Sequence, residues 1–324
     1  MLGALLAIGV LASAGPAEAA VAGIAWPTQS LGDRGTDVLA IQDLLRDRLA
    51  SGIAGPGVAL PAANRLFRAD TVAAVRAFQA ASGLTPTGIV TAPTWARLVL
   101  PLASGASGDA VRALQVELLE KRRADVIVTG TFDAATGTAV AAFQTHMGLP
   151  RTGAADGPTW RALVWHFETP VFSPTGLCDY SVGNGPANWG TAEAIAVTQS
   201  VGRAMVLAGY GRVAVGDVSF EHGGPIPGHD THRVGMDVDV RPLRKANDQC
   251  TVRGTTWRST AYDRAATRAV IQHFRSYAPG HIKLIYFNDP VLIREGLTRW
   301  FSGHDDHIHV RFCEATHPLP ADDC

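Results

Sequence analysis

Charge of either sign is scarce in this chain of 324 residues: 18% are charged, 28 basic against 29 acidic, for a formal net charge of -1 and a pI near 6.8. That balance excludes the basic field that concentrates nucleic acid or gathers a protein on an anionic membrane. Cysteine is scarcer still. Cys178, Cys250, Cys313 and Cys324 all lie in the C-terminal half and form no CxxC pair. In an exported chain, an even number of cysteines without metal-type spacing favours two disulfides over a zinc knuckle, in one of three connectivities. HExxH is absent, which excludes a thermolysin-type zinc site. What the chain has in quantity is apolar sequence: at 47% hydrophobic it can bury the cores of two domains or more, at about 100 to 200 residues each.

The N-terminus, MLGALLAIGVLASAGPAEAA, runs apolar from Leu2 to about Ala14, breaks at Pro16, and ends in the small residues around Ala17 and Ala19. This is the pattern of a secretory leader over residues 1–19, although no Lys or Arg precedes the apolar run. The run is shorter than the roughly 20 residues of a transmembrane helix, so no stable membrane insertion is expected. The expected location is outside the cytosol, in a periplasm or cell wall.

Residues 66–99 and 131–164 are copies of each other. Phe67, Thr71, Val75, Phe78, Gln79, Gly83, Leu84, Thr87, Gly88, Pro93, Thr94, Trp95, Leu98 and Val99 all recur at a shift of 65. Upstream, Gly35, Val38, Gln42 and Leu45 recur as Gly108, Val111, Gln115 and Leu118 at a shift of 73. The first copy therefore carries an insertion, placed in the Gly- and Pro-containing SGIAGPGVALPAAN as an exposed loop. Val38, Ile41, Leu45 and Leu49 form one apolar stripe of a helix. A second helix carries Thr71, Val75 and Phe78 and stops at Gly83, and Pro93 opens a third that turns Trp95 and Leu98 inward. Each copy is thus expected to be a small three-helix module.

This pattern of Gly, Val, Gln, Phe-Gln, Gly-Leu, Thr-Gly and Thr-Trp positions resembles the peptidoglycan-binding module found beside cell-wall hydrolases. The resemblance implies a non-catalytic wall anchor, with modules over 28–100 and 101–165. The matched residues are core and turn residues, so they could equally build a module that binds something else or only spaces an enzyme. A Pro-containing linker, 166–174, leads to a second region, 175–324.

Six of the eleven histidines gather near two windows, GHDTHRVGMDVDV (228–240) and GHDDHIHVRF (303–312), with His222 just upstream. Both windows end in alternating apolar residues, the period of half-buried strands. Alternation puts Asp237 and Asp239 on one face of the first strand and His307 and His309 on one face of the second. Imidazole and carboxylate together suit a hydrolytic zinc ion with three protein ligands. By the face argument alone either aspartate could ligate. With the helical spacing at 188–211 and 258–280, these strands predict an α+β domain. His222, His273, His281 and His317 stand alone in the sequence and read as surface or core residues. Asp305 and Asp306 read as turn residues or orienters.

The windows are similar to those of the lysostaphin and D-Ala-D-Ala metallopeptidase superfamily, and within it to the penicillin-insensitive murein endopeptidases; NWGTAEAI near 188 and YFNDP at 286–290 agree. The resemblance implies Zn2+ held by His232, Asp239 and His309. It implies His307 at the water or the oxyanion and His304 close by as a candidate base; beside that set, Asp237 reads as an alternative ligand or a partner that orients a His, and His229 as an outer or substrate group or a solvated loop residue. No glutamate base stands in either window, Glu221 being the nearest acid outside them. The whole chain is then expected to be multi-domain, two small three-helix all-α modules followed by an α+β zinc metallopeptidase domain. It would be a secreted murein D,D-endopeptidase with peptidoglycan as both substrate and anchor, and tethering would raise the local concentration of cleavable bonds to about mM. The alternatives are a D,D- or L,D-carboxypeptidase on the same scaffold, or a non-catalytic wall-binding protein.

Overall fold

A computed structural model describes residues 24–55, 57–181, 186–315, 317 and 320–324. The leader expected over 1–19 lies outside the described residues. The first copy of the repeat folds as helices α1 (Thr36–Ala50), α2 (Ala69–Ala81) and α3 (Ala92–Leu98), and the second as α4 (Asp109–Arg122), α5 (Ala134–His146) and α6 (Gly157–Trp165). Val38, Ile41 and Leu45 are fully buried on α1, as are Trp95 and Leu98 on α3. Proline stands in the first turn of both α3 and α6, where its missing N–H costs nothing. Between α1 and α2, the described residues of the inserted stretch are largely exposed and form neither helix nor strand.

The recurring glutamines explain why the repeat is so regular. Gln79 donates to the Ile89 carbonyl (2.8 Å) and Thr94 Oγ1 (3.0 Å) and accepts from the Gly88 amide (2.9 Å). Gln144 repeats this with the Ala154 carbonyl, Thr159 Oγ1 and the Gly153 amide. Gln42 and Gln115 do the same one helix earlier, reaching the carbonyls of Leu66 and Thr131 and the hydroxyls of Thr71 and Thr136. Each side chain is an amide standing in for a peptide group, buried to 2% exposure or less, and it closes a turn whose backbone would otherwise lack partners. Gly88 and Gly153, at φ +80° and +71°, turn their N–H groups onto it in a conformation that glycine adopts without strain.

Helices α1 and α4 lie against each other, and one apolar core runs through both copies from Val38 to Val164. Within it the Lys121 ammonium is buried, 2.6 Å from Asp37, 3.3 Å from Glu117 and 2.5 Å from the Val164 carbonyl. A buried charge is tolerable only with such partners, and these come from both copies.

The C-terminal region holds a mixed sheet of β1 (Leu177–Asp179), β2 (Val213–Val215), β3 (Asp237–Val240), β4 (Ile282–Tyr286) and β5 (Ile308–Phe312), in the order β1-β2-β3-β5-β4. Only the β1–β2 pair is parallel. Helix α7 (Ala192–Leu207) packs on β1 and β2, α8 (Arg264–Tyr277) packs on β4, and the two helices touch, so one face of the sheet is covered. Val213, Val238, Val240, Ile308, Val310 and Phe312 point into that core. A short helix α9 (Pro290–Arg294) follows β4. The cysteines pair as Cys178–Cys250, beside the sheet edge, and Cys313–Cys324, which ties the end of the chain to β5. Among the described residues no helix is long and apolar enough to cross a membrane.

The segment joining the repeats to this region is not loose. His166, Phe167 and Glu168 are buried, and Glu168 accepts from Thr36 Oγ1 of α1 at 2.9 Å. Gly35, at the start of α1, lies so close to α7 that a Cβ would stand 2.6 Å from the Ala192 carbonyl.

Replacing one glutamine tests the repeat's construction. Gln144→Leu strands buried backbone donors and an acceptor, and it should destabilise the protein by about 2–3 kcal/mol. Urea unfolding of the full chain measures this; a transition left in place would mean that the turn closes without the amide.

Candidate metal centre

The face of the sheet turned away from α7 and α8 carries the titratable residues. In the antiparallel β3–β5 ladder Asp239 stands opposite His309 and Asp237 opposite Arg311, while the alternate residues fill the core. His232 arrives from the loop before β3 and is fully buried. Its φ of +45° is one that residues other than glycine seldom adopt, and its amide is held by Asp237 Oδ2 at 2.9 Å.

Three atoms converge here. His232 Nε2 lies 3.1 Å from His309 Nδ1 and 3.3 Å from Asp239 Oδ1, and His309 Nδ1 lies 3.1 Å from the same oxygen. The outer nitrogens are committed elsewhere: His232 Nδ1 donates to the Val218 carbonyl (2.9 Å) and His309 Nε2 donates to Asp237 Oδ1 (2.9 Å). Neutral rings so held therefore face each other with lone pairs, a repulsive arrangement that a cation between them resolves. Donors about 2.0–2.1 Å from a tetrahedral ion lie about 3.3 Å apart, so this donor set fits a divalent metal.

The field at this point favours positive charge. Burial alone would lower the His309 pKa, but hydrogen bonds to Asp237 and Asp239 and their charges raise it to about 9. Burial would likewise raise the Asp239 carboxyl, and His232, His309 and His307 together hold it well below the usual carboxylate range instead.

Around the triangle lies a cleft of about 320 Å³, lined among others by His229, Tyr286, Phe301, His304 and His307. His307 Nε2 is 3.9 Å from Asp239 Oδ2, and its Nδ1 donates to Asp306 Oδ1 at 2.9 Å. Asp306 is itself held by Arg241 at 2.9 Å. His304 Nδ1 donates to the Ser302 carbonyl (3.0 Å), and burial pushes its pKa down to about 4. His229 sits face-to-edge on His232 with ring centroids 4.4 Å apart, 3.0 Å from Asp217 Oδ2 and 3.9 Å from Asp239 Oδ2. With His232 and Asp239, it makes a second grouping of metal-capable atoms. Asp305 turns away and accepts from Asn288 and Trp257.

Apart from Asp305, every residue singled out in the two windows therefore reaches one cleft wall or its immediate backing. Asp217, the Val218 carbonyl and Arg241 were not legible as site groups, because each acts on a residue remote in sequence, whereas Asp306, read as a turn residue or orienter, does hold the neighbouring His307. Two of the histidines that stand alone in the sequence do not stand alone in space. His222 meets His146, His166 and Glu221, and His281 lies 2.8 Å from Asp33 and 4.0 Å from Glu193. Glu221, the nearest acid outside the windows, belongs to the His222 group.

Comparison with known families finds two matches. Residues 34–98 and 107–163 match the peptidoglycan binding domain, and residues 184–286 match the penicillin-insensitive murein endopeptidases. No curated protein matches the chain. The endopeptidase match ends at Tyr286, before His304, His307 and His309; it is the β3–β5 register that brings β5 onto the matched part.

Asp237 holds the His309 ring and the His232 backbone amide without facing the convergence point. Asp237→Ala should weaken divalent-ion binding by about 10- to 100-fold, read by competition with a chelator of known affinity. Unchanged affinity would mean that the rings hold their positions without it.

Proposed function

From a chain that matches two peptidoglycan-binding repeats followed by a penicillin-insensitive murein endopeptidase domain, we propose a secreted zinc-dependent D,D-endopeptidase that hydrolyses D-alanyl cross-links of peptidoglycan. The observation that carries the reading is the triangle of His232 Nε2, Asp239 Oδ1 and His309 Nδ1 at 3.1–3.3 Å, on the floor of an open cleft. In this reading the three residues hold Zn2+, the repeats hold the wall, and the two disulfides suit the oxidising exterior. Zinc is favoured over harder ions because two of the three donors are imidazoles.

When bound, the ion would supply Lewis acidity, polarising a carbonyl and acidifying a water. The remaining work falls to the chain. His307 keeps its Nδ1 proton on Asp306, so its Nε2 is free to take a proton from the attacking water and return it to the departing amine. Asp306, fixed by Arg241, stabilises the imidazolium formed between those two transfers. His304 is suited to a different part. Held neutral with its Nδ1 proton on Ser302, it presents Nε2 as an acceptor that can orient the water or a substrate N–H, and a pKa near 4 makes it a poor proton store. The base role thus passes from His304 to His307. Tyr286 and Phe301, stacked with centroids 4.7 Å apart, wall the cleft, and Trp300 beside them is 67% exposed, an apolar rim suited to an extended polymer.

A carboxypeptidase would need a cation to receive the terminal carboxylate. Arg241 is engaged by Asp306, Arg244 by Asp248, and Arg311, which lines the cleft, by Asp322 at 2.6 Å. Arg233 lines a different cavity. These pairings support cleavage within a cross-link over trimming at a terminus. The complete donor set supports an enzyme over a wall-binding protein with a broken site.

Digestion of purified sacculi tests the reading. Once a muramidase has cut the glycan of the treated sacculi, the wild type should have released monomeric muropeptides in place of cross-linked ones, His309→Ala should have released none beyond the untreated level, and a β-lactam should leave the digestion unaffected, since no serine is acylated. Loss of single D-alanines without release of monomers would turn the assignment to a carboxypeptidase. His307→Ala should retain the metal yet lower turnover by about 10²- to 10⁴-fold, the usual worth of a general acid–base group. A variant with near wild-type turnover would remove His307 from proton transfer.

A further inference from the structure

None of the eleven histidines precedes His146. The first copy of the repeat folds without imidazole, having Ala81 and Pro101 where the shift of 65 places His146 and His166. The helical module therefore has no structural need of them. Yet both point at the same place on the C-terminal region. One ligand atom from each of His146, His166, Glu221 and His222 lies within 4.8 Å of the others. His146 Nε2 is 3.0 Å and His166 Nε2 3.4 Å from Glu221 Oε1, and the His222 ring lies 5.3 Å and 5.2 Å from the other two, centre to centre.

The rings are oriented as ligands are. His166 donates from Nδ1 to the Phe167 carbonyl at 2.6 Å, which leaves Nε2 as a lone pair aimed into the group, and burial pushes its pKa to about 3, keeping the ring neutral. Trp165 stacks flat on His222, with ring planes 1° apart, and Trp189 meets His166 edge-on. At the centre stands a positive charge: Arg122 hydrogen-bonds to Glu221 Oε1, and its Nη1 lies 3.3 Å from His166 Nε2. That side chain is about a quarter exposed, so the guanidinium can move into water. A partly exposed cation thus sits on two of the four converging groups, His166 and Glu221.

We propose that His146, His166, Glu221 and His222 form a second site, for a divalent transition metal of the zinc type, which displaces Arg122 and clamps the second repeat to the loop leading into His229 and His232. Three nitrogens and one carboxylate oxygen suit zinc, and disfavour magnesium and calcium, which prefer all-oxygen shells. The ligands come from the ends of α5 and α6 and from the C-terminal region, so the ion would fasten the anchor to the enzyme. The His232–Asp239–His309 triangle shares none of these residues.

Metal content of the untagged full chain, equilibrated with Zn2+ and freed of excess, tests the proposal. Wild type should hold two ions, His309→Ala one, and His146→Ala/His222→Ala one, with sacculus digestion retained in the last. Arg122→Gln is the decisive variant: removing the competing cation should tighten the second ion by about tenfold, whereas a plain ion-pair contact would only be lost. Saturation of the wild type at one ion that His309→Ala abolishes, or an Arg122→Gln protein that binds the second ion no better, would overturn it. His146 and His222 lie at the surface and outside the apolar cores, so their alanine variants should fold; should they not, the Arg122→Gln and His309→Ala measurements still decide.

Discussion

Two imidazole nitrogens and a carboxylate oxygen pointed at one another across about 3 Å are the constraint that the C-terminal region is built around. Left to themselves these groups would rotate apart, and the chain prevents it at some local cost. The antiparallel register fixes Asp239 against His309, the Val218 carbonyl and Asp237 take the outward N–H groups, and His232 accepts a left-handed backbone to enter from a loop. Conformations of this kind persist only where the surroundings impose them, and here a buried carboxylate does so twice, through a ring and through an amide.

Much of this was legible before any coordinates, and the reason is periodicity. Alternation within two short stretches placed Asp237 and Asp239 on one face of one strand and His307 and His309 on one face of another, and a constant shift between copies exposed the repeat. Neither argument needed to know which distant segments meet. What escaped were the contacts that only tertiary structure creates: Asp217 against His229, Arg241 behind Asp306, and histidines 146, 166 and 222 drawn together from separate stretches. Cysteine pairing was open for the same reason, since Cys178 and Cys250 are 72 residues apart and the loop carrying Cys250 is held near β1 by Gln249, which donates to the Arg212 carbonyl just before β2.

The repeats show two ways of satisfying buried polarity. The glutamines serve each copy internally, closing turns with bonds that recur at each equivalent position, so duplication carried them along unchanged. Lys121 does the opposite. Asp37 and Glu117 reach it from different copies, an arrangement neither copy could contain alone, and the paired charges join two similar helical units through one core.

The buried joint at Glu168 has a mechanical meaning. With Thr36 bonded to it, Val171 bonded to Gln199 and Leu31 bonded to His281, the repeats are braced against the sheet domain at several points rather than hung from it. A leash lets its bearer sweep a volume; a bracket sets one offset and one heading. A protein built this way, once its repeats have gripped a lattice, would address bonds lying at a single displacement from the grip, and would have to let go to reach the next.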